Sequence, residues 1–180
     1  MADDGGPSVA ARDDLAGVVD LFGWLTRAEL SRALSELAFK QRAEVDEGAI
    51  DAAIDLAVTE YALVPAPSDA LSGDSGETDG DDPAAESTAL AVGPAAFPTL
   101  PEGSEDLPHI LDVPDREVDR EALADAVLER LRREAVEAIG EGDDERLETL
   151  ADVTYDVEAW APVDVGPVRT RILAEVDEEG

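Results

Sequence analysis

The sequence lacks several of the residues on which catalytic and metal sites depend. It has no cysteine, so a disulfide, a thiolate nucleophile and a cysteine-ligated metal are excluded. Its one histidine, His109, lies between Pro108 and Ile110 in a proline-rich stretch, and no phosphate-binding glycine motif is present. No apolar run approaches the roughly 20 residues that a helix needs to cross a bilayer. We therefore expect a protein that is not an enzyme and not membrane-bound, without catalytic residues, a cofactor or a metal.

Basic residues are also scarce. The chain has 45 acidic and 13 basic residues, which gives a formal net charge of −32, and Lys40 is the single lysine. A charge of this size makes a compact chain repel itself. In molar salt the Debye length falls to about 3 Å, and most of that repulsion is screened. The composition therefore indicates a cytoplasmic protein from a salt-loaded cell, and its 44% hydrophobic content argues against disorder over most of its length.

The clearest pattern lies between Leu25 and Val64 and predicts two helices. Thr26 and Glu29 have the spacing of a capping box, in which each side chain accepts from the other residue's backbone N–H. Asp46 is placed to cap the second helix. The predicted apolar faces are Leu30, Leu34, Leu37 and Ala38 in the first helix, and Ile50, Ala53, Ile54, Ala57 and Tyr61 in the second.

A further helix and two strands flank this pair. Asp13 or Asp14 is predicted to cap the first helix of the chain, which ends at Gly23, and Trp24 and Leu25 follow as a hydrophobic staple. Residues 62–64 and 88–92 are predicted strands, and Pro65 confines the first of them to an edge or an end of the sheet. The segment between them, residues 68–88, has seven acidic and no basic residues. The order of these elements is that of a winged helix.

The remainder is predicted to be an extended connector followed by helices. Four prolines favour an extended chain over residues 95–114. Asp119 caps a long helix over residues 120–139, and a shorter helix covers about residues 144–151. Tyr155, Val157 and Trp160 form an apolar segment beyond it. Asp164 caps the last helix.

The predicted fold class is mainly α with a small β-hairpin: a winged-helix-like N-terminal unit and a C-terminal helical extension. We expect a flexible tail over residues 1–12 and the winged-helix-like domain over 13–97, with a disordered acidic wing loop over 68–88. A proline-rich connector follows over 98–114, the helical extension over 115–176 and a short tail over 177–180.

Four segments resemble an uncharacterised family of haloarchaeal proteins: LTRAELSRALSELAFKQ, IDAAIDLAVTEYALV, GPAAFPTLPEGSEDLPHILDV and YDVEAWAPVD. The resemblance implies a haloarchaeal source and carries over no activity and no site residue. The opening LT-x-x-EL of the first segment also resembles the second helix of winged helix-turn-helix domains in general.

A winged helix raises the question of DNA binding, which needs basic residues on the reading surface. No basic residue occurs from Ala43 through Asp115, and this range includes the predicted reading helix and the wing. The candidates for contact with nucleic acid or a partner are Arg27, Arg32, Lys40 and Arg42. The favoured interpretation of these four residues is a solvated helix face paired with Glu29 and Glu36. We therefore favour a regulatory module that binds another protein, with a DNA-binding transcriptional regulator as the alternative.

Three weaker features complete the prediction. Trp24 and Trp160 are most simply core or interdomain contacts, and their functional interpretation is a hydrophobic partner groove. The long helix after Asp119 could pair with itself in a homodimer. Residues 75–86 match several positions of a calcium-binding loop, but Ser75 stands where Asp is required, and Pro83 interrupts the loop.

Overall fold

The computed structural model describes residues 9–44, 46–73, 88–114 and 116–178. The chain divides into two compact units, the first ending at Val118 and the second beginning at Asp119. Most of the described residues are helical, and the strands form small antiparallel sheets. This confirms the predicted fold class of a mainly α protein with a small β component.

The first unit contains four helices and five short strands within the described residues. In chain order they are α1 (Val9–Phe22), β1 (Trp24–Thr26), α2 (Arg27–Lys40), α3 (Glu47–Thr59), β2 (Leu63–Pro65), β3 (Leu71–Ser72), β4 (Ala89–Val92), α4 (Leu107–Leu111) and β5 (Glu117–Val118).

The main sheet has the strand order β1-β4-β2, and both pairs are antiparallel. Leu63 lies opposite Val92, so the predicted pairing of the two flanking strands is confirmed. The third strand was not predicted. Trp24 and Leu25, interpreted from the sequence as a staple, instead form β1, with Trp24 opposite Ala91. A separate two-stranded sheet pairs β3 with β5.

The core of the first unit gathers apolar residues from every helix. The fully or nearly fully buried members include Val18 and Val19 of α1, Leu30 of α2 and Ile54 of α3. Leu107 and Leu111 join them from the segment that was predicted to be an extended connector. That segment forms a turn at Ser104–Asp106 and then α4, so the prediction of no helix there was wrong. Burial of Leu107 and Leu111, which lie on one face of α4, stabilises a helix in this proline-rich segment.

Helix α1 begins earlier than its capping signal indicated. It starts at Val9, which lies within the predicted flexible tail, so Asp13 and Asp14 lie inside the helix and do not cap it. Asp13 Oδ1 accepts a hydrogen bond from the Phe97 N–H (3.1 Å), and Asp14 Oδ1 accepts one from the Thr99 hydroxyl (2.7 Å). The two carboxylates therefore tie the connector to α1.

The second unit is built from three helices in its described part. They are α5 (Arg120–Glu141), α6 (Asp144–Trp160) and α7 (Gly166–Glu178), and each packs against the other two. Asp119 and Asp143 cap α5 and α6, and Asp164 Oδ1 accepts from the Gly166 N–H. The predicted stop of the middle helix near residue 151 was wrong, because the helix continues to Trp160 and buries Val153 and Val157.

Part of the prediction falls on residues that the structure does not describe. Of the predicted acidic wing loop, residues 74–87 lie outside the described ranges, while residues 68–72 form a turn and β3. The calcium-loop match also lies outside them. None of the helices that are described has the length and apolar character required to cross a membrane.

Candidate partner or nucleic-acid interface

Local signals fix the start of α2, which carries Arg27, Arg32 and Lys40, and the start of α3 beside it. The Thr26 Oγ1 accepts from the Glu29 N–H (3.2 Å), and Glu29 Oε2 accepts from the Thr26 N–H (2.8 Å), so the predicted capping box of α2 is confirmed. Asp46 Oδ1 accepts from the Ala49 N–H at the start of α3, as predicted. Both helices therefore begin at residues that their sequences define.

Two of the four candidate basic residues are held in contacts within the first unit. Arg27 reaches α3, where its guanidinium lies 2.8 Å from Asp55 Oδ1 and donates to the Asp51 carbonyl (3.1 Å). Lys40 Nζ lies 2.9 Å from Asp106 Oδ2. The hydrogen bond from Lys40 and its charge hold the pKa of the Asp106 carboxyl below its usual range. These two cations already have carboxylate partners.

Arg32 and Arg42 are placed differently. Both are exposed, and within the ranges that the structure describes neither forms an ion pair or a hydrogen bond through its side chain. Arg42 lies in the turn after α2 with a φ of 55°. Arg32 lies on the exposed face of α2, at helical spacing from Ser35 and from Phe39, which is 77% exposed. Of the four candidates, Arg32 and Arg42 are therefore the two whose side chains have no such contact within the described residues.

The surface of α3 beside them is acidic. Glu47, Asp51 and Asp55 follow one another at four-residue spacing, and all three are exposed. A polar depression of about 490 Å³ between α2 and α3 is lined by Arg27 and Arg32 together with Glu47 and Asp51. Carboxylates thus match or outnumber the arginines on this surface, which opposes contact with a phosphate backbone.

A buried arginine that the sequence did not single out holds the start of α2. Arg116 is 6% exposed, and its guanidinium donates to both carboxylate oxygens of Glu29 (2.7 and 2.9 Å) and to the Trp24 carbonyl (3.2 Å). It also lies 3.9 Å from the centroid of the Trp24 ring. We call Trp24, Glu29 and Arg116 the Arg116 clamp. The only sequence signal for it is that Arg116 is the first basic residue after a run of 73 residues without one, from 43 to 115.

The electrostatics of the clamp favour the charged carboxylate. Burial by itself raises the pKa of Glu29, but the hydrogen bonds from Arg116 and from the Thr26 N–H, with the charge of Arg116, outweigh it and lower the pKa below its ordinary value of 4.5. In the second unit Glu134 is held in the same way: burial raises its pKa, and Arg130 and Arg146 lower it by more. Both carboxylates are therefore structural ion-pair partners.

The two tryptophans predicted to line a groove lie in different units. Trp24 is 2% exposed, and its Nε1 donates to the Ser72 carbonyl (3.2 Å). Trp160 is half-buried at the end of α6, with Arg120 5.0 Å from its ring centroid. The core interpretation of Trp24 fits this position, and the partner groove stays a prediction.

His109 is exposed on the short helix α4. Across the described ranges, no group of three or more histidine, aspartate and glutamate residues is arranged so that it could hold a metal ion.

Comparison with known proteins gives a family match. A family model described as a family of unknown function (DUF7109) matches residues 13–177. No curated protein and no solved structure matches the chain. The family match spans both units.

Proposed function

The chain belongs to the DUF7109 family of unknown function, and from this premise we propose that its first unit is a winged helix-turn-helix module that binds another protein in a regulatory role. The order α1, β1, α2, α3, β2, β4, with the short β3 between the last two, supports the winged-helix assignment. The sheet order β1-β4-β2 supports it further, since the strand after the wing lies between the other two. The wing is the segment between β2 and β4.

The charges on α2 and α3 support a protein partner over DNA. In this class of domain α3 enters the major groove and basic residues contact the phosphates. Here the exposed side of α3 carries Glu47, Asp51 and Asp55, and Arg27 is paired with that acidic row. This acidic row is the observation on which the proposal rests, because a duplex would place its phosphates against carboxylates. The exposed Phe39 adds an aromatic side chain of the kind that is enriched at protein interfaces.

DNA binding is the second candidate, favoured by the two arginines that are not ion-paired in the described residues. Arg32 and Arg42 could each contact a phosphate. Two such contacts supply little affinity in concentrated salt, because the phosphate contribution falls steeply as salt rises.

The first experiment separates these candidates by reversing charges on α3. We expect Glu47→Lys with Asp51→Lys to abolish capture of the protein partner, when the tagged chain is purified from its native cell at native salt. The control is Glu137→Lys with Glu141→Lys, which has the same charge change and spacing on exposed positions of α5. The control should capture the partner as the wild type does.

Two results would contradict the protein-partner proposal. One is unchanged capture by the Glu47→Lys, Asp51→Lys chain. The other is retarded migration of a promoter fragment in molar potassium chloride that disappears when Arg27, Arg32 and Arg42 are changed to Glu. The second result would establish the DNA-binding alternative.

We also propose that the protein works in a salt-loaded haloarchaeal cytoplasm and has no catalytic task. The excess of 45 acidic over 13 basic residues supports the first point, and the absence of cysteine and the exposed position of the single histidine support the second. The surplus of carboxylates outside the acidic row of α3 then serves as a solvent adaptation.

This proposal predicts that the fold needs salt. As potassium chloride is lowered from about 1 M to about 10 mM, the Debye length grows from about 3 Å to about 30 Å, and carboxylates across the surface repel one another. We expect the melting temperature to fall and the far-UV circular dichroism to lose helical signal. An equal concentration series of sucrose, which adds no ionic screening, serves as the control. A melting temperature that is independent of salt would contradict the prediction.

A further inference from the structure

A second, apolar groove borders α2 and α3 and shares no lining residue with the polar depression. It has a volume of about 350 Å³ and is formed by the C-terminal half of α2, the N-terminal half of α3, part of α1 and the connector. Its apolar lining includes Leu34, Leu37, Ala38, Ile50, Ala53 and Pro101. Leu34, Ile50 and Ala53 are only half-buried, so the groove leaves apolar side chains in contact with water.

Every charged residue that lines this groove is acidic. Asp14, Glu44 and Asp46 contribute to its wall, and the lining contains no lysine or arginine. Glu44 and Asp46 also border an adjoining depression with Glu47. An apolar floor with a rim of one charge sign is selective, because it repels acidic segments and attracts basic ones.

We infer that this groove binds an amphipathic helical segment of another protein, with apolar side chains on one face and lysine or arginine beside them. The inference rests on the proposed protein-binding function and specifies the chemistry of the partner. Burial of the apolar face supplies affinity that persists in concentrated salt, and the acidic rim selects for basic flanks. Spacing of the anchors at i, i+3 and i+4 or i+7 suits a groove between two helices.

Charge weighs against the occupants that this chain could itself provide. A second copy of the chain carries a formal net charge of −32, so its carboxylates would lie against the acidic rim of the groove. The residues that precede α1, Met1 to Ser8, include Asp3 and Asp4 and no lysine or arginine. We therefore assign the basic segment to a different protein, and self-association is one of the outcomes of the test.

The test uses a fluorescein-labelled amphipathic peptide of leucine and lysine, with the matching leucine and glutamate peptide as its charge control. In molar potassium chloride we expect saturable binding of the leucine–lysine peptide to the full chain by fluorescence anisotropy. Ala49→Trp, at an exposed position in the groove lining, should weaken this binding at least tenfold. Ala52→Trp, exposed on the same helix outside the lining, should leave it unchanged.

A second measurement places the peptide without filling the groove. Because the chain has no cysteine, Ala49→Cys and Ala52→Cys each create a single labelling site for an environment-sensitive dye. The peptide should shift the emission of the dye at position 49 and leave the dye at position 52 unchanged. Ala38→Trp provides an independent block of the groove from α2.

Several outcomes would overturn the inference. Equal binding of both peptides would show that the rim does not select for basic segments. Equal peptide affinity of the Ala49→Trp and Ala52→Trp chains would show that the peptide does not bind in the groove. Self-association that Ala49→Trp abolishes would make a second copy the occupant. Tighter peptide binding after deletion of residues 1–8 would make the chain's own segment the occupant. The peptide tests involve no natural partner, so they can fail while partner capture still depends on Glu47 and Asp51.

Discussion

Gly17→Ala will destabilise the first unit by about 3 kcal/mol, at the upper end of the usual cost of overpacking. Gly17 lies in the interior of α1, where helix propensity alone favours alanine over glycine by about 1 kcal/mol. A Cβ at this position would lie 1.7 Å from the Thr99 carbonyl oxygen, which is backbone and cannot rotate away. The connector would have to leave α1, and its hydrogen bonds to Asp13 and Asp14 would be lost. Helix propensity alone predicts that Gly17→Ala stabilises the first unit, and the contact with Thr99 makes the same substitution destabilising.

Gly140→Ala is the matched control, because Gly140 is also helical and a Cβ there meets nothing within 4 Å. We expect it to stabilise the second unit by about 0.5–1 kcal/mol. Denaturant unfolding in molar potassium chloride, followed by circular dichroism, measures both changes. In a Trp160→Phe background, Trp24 is the single tryptophan, so its fluorescence reports the first unit alone. Stabilisation by Gly17→Ala would show that the connector does not pack against α1.

Arg116→Met or Glu29→Ala will each cost the first unit about 3–5 kcal/mol, the usual effect of removing one partner of a buried ion pair. The side chain of Arg116 is 0% exposed and that of Glu29 is 18% exposed, so solvent screens the remaining charge poorly. Glu29→Ala also removes the second half of the capping box. The start of α2, and with it the placement of Arg27 and Arg32, depends on this clamp.

An exposed pair provides the control for the Arg116 clamp. Arg132 and Glu129 lie 3.2 Å apart with side chains 48% and 74% exposed, and Arg132→Met should change the stability of the second unit by less than about 0.5 kcal/mol. The double variant Arg116→Met with Glu29→Met should be more stable than either single variant, since no unpaired charge remains. Equal and small costs for Arg116→Met and Arg132→Met would contradict the prediction.

The cost of Arg116→Met should also depend on pH. The folded-state pKa of Glu29 lies below its ordinary value of 4.5, so the folded state binds fewer protons than the unfolded state. The stabilisation from Glu29 is then complete above the unfolded pKa and is lost as the pH falls through the folded pKa. The difference between wild type and variant should therefore be largest near neutrality and should shrink in acid.

Much of the candidate interface follows from local sequence. The capping residues Thr26, Glu29 and Asp46 lie where the sequence places them, because each cap depends on a residue and the backbone three positions away. The contact partners of the candidate cations did not follow from sequence. Arg27 meets Asp51 and Asp55 across two helices, and Lys40 meets Asp106 from a distant segment, so neither pair has a spacing that local rules recognise.

The sequence by itself determined most of the helices, the caps of α2, α3 and α5, the pairing of β2 with β4 and the acidity of α3. These features depend on residues close together in the chain, or on composition. Only the tertiary structure decided that Trp24 begins a third strand, that the connector folds over Gly17, and that Arg116 is buried against Glu29. Each of these contacts joins segments 67 or more residues apart, from Trp24 with Ala91 to Glu29 with Arg116. Their energy comes from desolvation and close packing, which exist only once the segments have met.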